Sequence, residues 1–293
     1  MSTHQDWRDV RSCLKTPGFL EFEFRSCKDA RSRLARFIRG TPRSCYALIH
    51  GLPIQEFEYF DEIVRGVRID YYRYLELAVI YLKWPSHPHN FVLSKFRTLF
   101  TSKALAMGIS LFYYLWLSNA THDGRRRNKQ PDECLYTAPP DNCNWPVLVM
   151  EVGLSETMGQ LRQDSLWWFS ESSEVKLVLL IALNITAKEI TIEKWERGRP
   201  PPSGRTTRSS TAALEPSATE TVTINTSGVV GTLHLSFEKL FRASPGPTQH
   251  DFEFENELSI LIRGLFHSVV CFPLKWANGR HKEESYNLLE PSL

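Results

Sequence analysis

Two carboxylates sit where metal-assisted chemistry could be done. Asp132 opens the stretch "PDECLY", and Glu151 lies inside "WPVLVMEVGLSET", an otherwise mostly apolar run from Trp145 to Thr157. Both are equidistant from Asp141-Asn142 in "PPDNCN", a stretch of turn-forming residues. A hairpin centred there sets the two acids opposite each other, with Cβ atoms about 4.5–5.5 Å apart. Like charges that close repel by roughly 1 kcal/mol or more, depending on the local dielectric. A divalent cation reverses the sign of that interaction. Mg2+ takes oxygen ligands at about 2.0–2.1 Å and usually keeps several waters. The same spacing admits a plainer reading, in which Asp132 only starts a strand after Pro131 and Glu151 pairs with an arginine of the basic loop.

Such a pair needs a sheet to hold it and helices to cover it. "VKLVLLIALN", Val175 to Asn184, is nearly continuous in apolar residues and predicts a strand buried on both faces. Glu189 to Glu196 continues as strand. His89 to Met107 predicts a helix with Leu93, Phe96, Leu99 and Phe100 as its apolar stripe, and Ile109 to Leu117 the next strand. Ser155 and Thr157 are N-cap candidates for a helix running to about Phe169, and Thr157 with Gln160 fits a capping box. On that helix Leu161, Asp164, Ser165 and Trp168 share a face. Asp164 reads as a cap for a buried backbone group, a partner for Arg162 or a ligand for a second metal; Trp167 and Trp168 read as core. The order helix, strand, strand, strand, helix, strand gives an α/β (α+β) class, a mixed central β-sheet flanked by helices.

Outside that core the signals are thinner. Residues 1–60 read as an N-terminal extension whose one clear element is a basic helix, Asp29 to Arg39. Its apolar face carries Ala30, Leu34, Phe37 and Ile38 and its other face Arg31, Arg33, Arg36 and Arg39. That polar face reads either as solvated or as a phosphate contact. The core segment spans 61–196, beginning with one or two strands in Val67 to Tyr81. Residues 197–220 are rich in Pro, Ser and Thr and predict a disordered insertion. The same domain resumes over 221–263, with a strand near Gly231 to Phe237 and a closing helix in "ENELSILIRGLFHSVV"; 264–293 is a divergent tail. The loop "SNATHDGRRRNKQ" offers Arg125, Arg126, Arg127 and Lys129 as phosphate-binding cations. His87 and His89 form an H-x-H pair in a proline-flanked loop, read as structural or exposed.

Bulk properties exclude little. The net charge of +2 over 293 residues, with 42% hydrophobic and 23% charged residues, fits a globular protein without a global nucleic-acid footprint. The six cysteines form no C-x-x-C pair, which argues against a zinc site, and no signal peptide is visible, so an intracellular, reducing compartment (cytoplasm or nucleus, not secreted) is expected. The uncharged run Ala104 to Ala120 falls short of the ~20 residues a membrane span needs, so no membrane partner is expected.

The combination of "PDECLY", "WPVLVMEVGLSETMGQLRQDSLWWFSESSEVKLVLLIALN" and "ITIEKWE" resembles a group of fungal proteins that looks like the PD-(D/E)XK, or restriction-endonuclease-like, nuclease superfamily. The resemblance covers roughly Tyr72 to Ile262 and is strongest from Pro131 to Glu196. It implies a helix-strand-strand-strand-helix-strand core and a Mg2+- or Mn2+-dependent nuclease acting on DNA or RNA. Asp132 matches the superfamily aspartate and Glu151 the acid of its E-x-K strand, as metal ligands, with the Val152 carbonyl a third. The lysine position is Gly153, so Gln160, Arg162 or Lys176 would have to supply the basic or polar helper. The acid often found near the start of the first helix is replaced by His89-Asn90. These departures keep a second reading open: a catalytically inactive nuclease fold that binds nucleic acid or protein.

Overall fold

The apolar run at Val175 to Asn184 sits at the middle of the larger of two units. A computed structural model describes residues 19–40, 45–63, 68–82, 87–118, 120–125, 127–137, 145–154, 158–198 and 215–271. In chain order the first elements are β1 (Phe19–Glu23), α1 (Cys27–Gly40), β2 (Cys45–His50), α2 (Ile54–Ile63), β3 (Arg68–Tyr72), β4 (Leu77–Leu82), α3 (His87–Ala106), β5 (Tyr114–Leu117), β6 (His122–Asp123) and β7 (Arg127–Lys129). Then follow β8 (Glu133–Thr137), β9 (Leu148–Gly153), α4 (Met158–Glu171), β10 (Leu177–Asn184), β11 (Glu189–Arg197), β12 (Pro216–Asn225) and β13 (Gly228–Val230). The last are β14 (Leu233–Leu235), α5 (Phe237–Phe241), β15 (Phe252–Phe254) and α6 (Ser259–Cys271). The first unit takes its described residues from 1–86 and 119–130, the second from 87–118 and 131–272.

The second unit holds a sheet ordered β13-β12-β11-β10-β9-β8-β5. β5, β8 and β9 form an antiparallel meander, β10 runs parallel to β9, and β11 returns antiparallel to β10. A parallel neighbour demands a crossover, and α4 provides it. The run α3, β5, β8, β9, α4, β10 is the expected helix, three strands, helix, strand. Alternation along the strands splits the core in two. Leu148, Met150, Val152, Leu177, Leu179 and Ile181 pack with Phe96 and Phe100 of α3 and Leu261 of α6. Val149, Val178 and Leu180 face Leu161, Trp168 and Phe169 of α4. Helices therefore cover both faces, which is why β10 reads as apolar on both. No described helix is long and apolar enough to cross a membrane.

The first unit holds a sheet ordered β1-β2-β4-β3-β7-β6. β1 and β2 are parallel and α1 joins them; Ala30 and Leu34 of α1, with Phe57 and Phe60 of α2, cover Ala47, Ile49, Ile69, Tyr71, Ala78 and Ile80. This unit departs most from the sequence reading. The segment read as an extension contributes two strands and a second helix besides the basic one. Val67 to Tyr81, placed with the 61–196 core, makes β3 and β4 of this first sheet, joined through Glu76 in the left-handed region (φ 45°).

Three boundaries also move. The strand expected from Ile109 begins only at Tyr114, because Ser110 accepts the Phe112 N–H and a 3-10 turn takes Leu111–Tyr113. The insertion expected over 197–220 overlaps ordered strand: β12 starts at Pro216 and pairs with β11 down to Arg197, while 199–214 lie outside the described residues. The strand expected near Gly231 to Phe237 ends at Leu235, where Ser236 caps α5 through the Lys239 N–H.

Candidate metal centre

β8 and β9 pair with Glu133 opposite Met150, Cys134 opposite Val149 and Leu135 opposite Leu148. Continued by one residue, that register sets Asp132 opposite Glu151, as the spacing requires. The turn at Asp141-Asn142 lies outside the described residues, as do the proposed caps Ser155 and Thr157. Pro131 cannot donate to a ladder, and β8 pairs only from Glu133 on. The Asp132 side chain takes over there: its Oδ2 accepts the Val152 N–H at 2.7 Å. The first turn of α3 brings His89 Nε2 to 3.2 Å from the same Oδ2. His89 thus stands beside Asp132, at the helix start where the resemblance leads one to look for an acid.

Glu151 is fully buried. A buried carboxylate is costly unless hydrogen-bonded, and its Oε1 accepts the indole N–H of Trp168 at 2.8 Å. Trp168 is core, as expected, lying edge-on to Trp167 with centroids 4.8 Å apart. Its role as a donor to the acid was not foreseen. The two residues are 17 apart in sequence, and only the α4 crossover brings them together.

The same sheet row continues past Glu151 through Leu180 to Glu193. Glu193 is buried beneath Arg162, whose Nε donates to Oε2 at 3.0 Å and whose Nη2 donates to Oε1; the Trp195 indole also donates to Oε2. These bonds, Arg162 first, hold the Glu193 carboxyl below the usual range against the opposing effect of burial. Arg162 is therefore engaged two strands away from Glu151, roughly 10 Å at the usual inter-strand spacing. Lys176 is also misplaced as a helper. It precedes β10 next to Val147, four residues back along β9 from Glu151, about 13 Å at strand rise, and its Nζ donates to the Ser173 carbonyl. Gln160, in the first turn of α4, and Asp164 are both half-buried.

Glu133 was missed. It alternates to the α3 side, where Ser118 donates to Oε2 at 3.1 Å and Arg97 stands 3.7 Å from Oε1. Burial pushes its carboxyl up, opposed by Arg97 and Ser118. Cys134 is buried with Glu133 and Glu151 near it; desolvation foremost raises its thiol far above the normal value, so it is no nucleophile at neutral pH.

The basic loop belongs to the first unit and does not present four cations to solvent. Arg127 is buried, its Nη1 donating to the Tyr72 hydroxyl at 2.7 Å and lying 3.7 Å from the buried Asp70. Lys129 is fully buried in β7, Arg125 is exposed, and Arg126 lies outside the described residues.

Among the described residues, no three His, Cys, Asp or Glu side chains form a set able to hold a metal ion. A Mg2+ site does not require three. It commonly uses one or two carboxylates, with waters and substrate phosphate completing the shell. Each carboxylate has about four lone-pair positions, so a peptide or indole donor and a cation are compatible on one side chain. As a donor set, Asp132 and Glu151 have the chemistry that such a two-carboxylate site uses.

No protein-family model matches this chain, and no curated protein matches it. Among solved structures, 42% of the chain aligns with 70% of a protein from Anabaena variabilis described as "a putative nuclease belonging to DUF820", at 12% identity and a TM-score of 0.32.

Proposed function

We propose that the second unit is a nuclease-like domain that acts on phosphodiesters with a divalent cation, Mg2+ or Mn2+, held by Asp132 and Glu151, with the Val152 carbonyl as a third oxygen. The observation supporting this is the β8–β9 register, whose extension by one residue beyond Glu133–Met150 would set two buried acids opposite each other at one end of the sheet. A cation bound there polarises a phosphodiester and lowers the pKa of a bound water. The protein's share is preorganisation. The Val152 N–H fixes Asp132, the Trp168 indole fixes Glu151, and burial of both keeps bulk water from competing for the carboxylates.

A second reading, a nuclease fold that binds nucleic acid without turnover, is favoured by one feature. The residue two after Glu151 is Gly153, with no side chain, while Arg162 is held by Glu193 and Lys176 sits at the far end of β9. Cleavage assays on single- and double-stranded DNA and RNA with Mg2+ or Mn2+ decide between them. Asp132→Asn with Glu151→Gln keeps an acceptor for each donor and removes both charges. The first reading expects cation-dependent cleavage in the parent and at least a hundredfold loss in the double variant. Equal cleavage by the two proteins contradicts it, and absence of cleavage with binding intact supports the second.

A further inference from the structure

One helix, α1, carries more net positive charge than the chain as a whole. α1 carries five cations, Lys28, Arg31, Arg33, Arg36 and Arg39, and one acid, Asp29, while the full chain is only +2; the remainder is therefore net negative. The single acid is occupied, since Arg33 Nε meets Asp29 Oδ2 at 2.9 Å. The helix buries Cys27, Ala30 and Leu34 and turns Lys28 and Arg36 outward; both are exposed, as is Arg25 just before the helix. Lys28 and Arg36 are eight residues apart, about 12 Å along the axis, and Arg25 lies two residues ahead of the helix. Duplex DNA presents a phosphate about every 3.4 Å of rise on each strand. The stripe therefore spans several phosphates of one strand.

We propose that the outer face of α1 is a nucleic-acid backbone-binding surface, reading charge and not sequence, with Arg25, Lys28 and Arg36 as its phosphate contacts. This rests on the reading of the second unit as acting on phosphodiesters. It also moves the nucleic-acid contact away from 127–129, where Arg127 and Lys129 point inward. Phosphate contacts of this kind give affinity that falls steeply with salt.

The test uses the full chain and a fluorescent 20-base-pair DNA duplex, titrated at several NaCl concentrations. Arg25→Gln, Lys28→Gln and Arg36→Gln together should weaken binding at least tenfold at low salt. They should also flatten the log–log salt slope by about 2–3, at roughly 0.9 per phosphate contact. The charge-conserving exchanges R25K, K28R and R36K, made together, should bind like the parent and guard against a folding artefact. Duplex binding by a parent protein that takes up no Mn2+ supports the helix as the binding surface and fails only the metal reading. Unchanged affinity and slope in the glutamine triple variant overturn the proposal. So does a parent protein that ignores the duplex and binds phosphatidylserine vesicles instead.

Discussion

Glu151 and Glu193 occupy the same row of one sheet, two strands apart, and both are buried on the face covered by α4. Each accepts an indole N–H, Glu151 from Trp168 and Glu193 from Trp195. They differ in what else is brought to them. Arg162 forks onto Glu193 and holds that carboxyl below the usual range. Glu151 instead lies at the end of the row next to Asp132, an acid of the same sign. Under the proposed function, Glu193 spends its charge within the fold and Glu151 directs its charge at a cation.

Replacing the two donors should break the comparison unequally. Trp168→Phe keeps most of the ring volume but strands Glu151 without its indole bond. We expect a loss of about 2–3 kcal/mol in chemical denaturation, from the lost donor and the smaller ring, together with weaker Mn2+ uptake. Arg162→Ala removes the fork from Glu193 and should cost about 2 kcal/mol. That is less than the roughly 3–5 of a fully buried pair, because the Arg162 side chain is 48% exposed. Mn2+ uptake should be unchanged. Equal effects on uptake from the two variants would erase the distinction between the acids.

The smallest effect sharpens it through pH. Glu193 has a depressed folded pKa, so its contribution is present above the ordinary carboxylate value, near 4.5, and is lost as pH falls through the folded value. Glu133 has a raised folded pKa, so its ionisation costs stability as pH rises from about 4.5 through the folded value. Glu133→Gln should therefore gain stability at pH 7, the gain vanishing below pH 4.5, while Glu193→Gln loses stability at pH 7 and converges on the parent in acid. Melting both variants across pH 3–8 checks the two signs.

The sheet row itself was legible in the sequence because its signals are local. Turn-forming residue types stand midway between the two acids in the sequence, and the unbroken apolar run of β10 suggests a strand covered on both faces. The partners were not legible. Arg162 and Glu193 are 31 residues apart, and Arg127 and Asp70 are 57 apart; residue type alone suggests exposed arginines in both cases. β1 was missed because "FLEFE" is five residues long, so its alternation is too brief to distinguish from chance. β12 was partly missed because Pro216, Ser217 and Thr219 look like disordered chain until β11 supplies the pairing. His89 was read both as the start of a helix and as one of a loop pair, and the first turn of α3, which begins at His87, is what carries it to Asp132.

Calorimetric titration of Mn2+ into the parent protein and into Glu151→Gln bears most directly on the central claim. Glutamine keeps an oxygen for the Trp168 indole and removes only the charge. One Mn2+ site in the parent, weakened at least tenfold in the variant with the melting temperature preserved, is the expected result. Equal uptake by both proteins, or none by the parent, would contradict the assignment of Asp132 and Glu151 as a cation-holding pair.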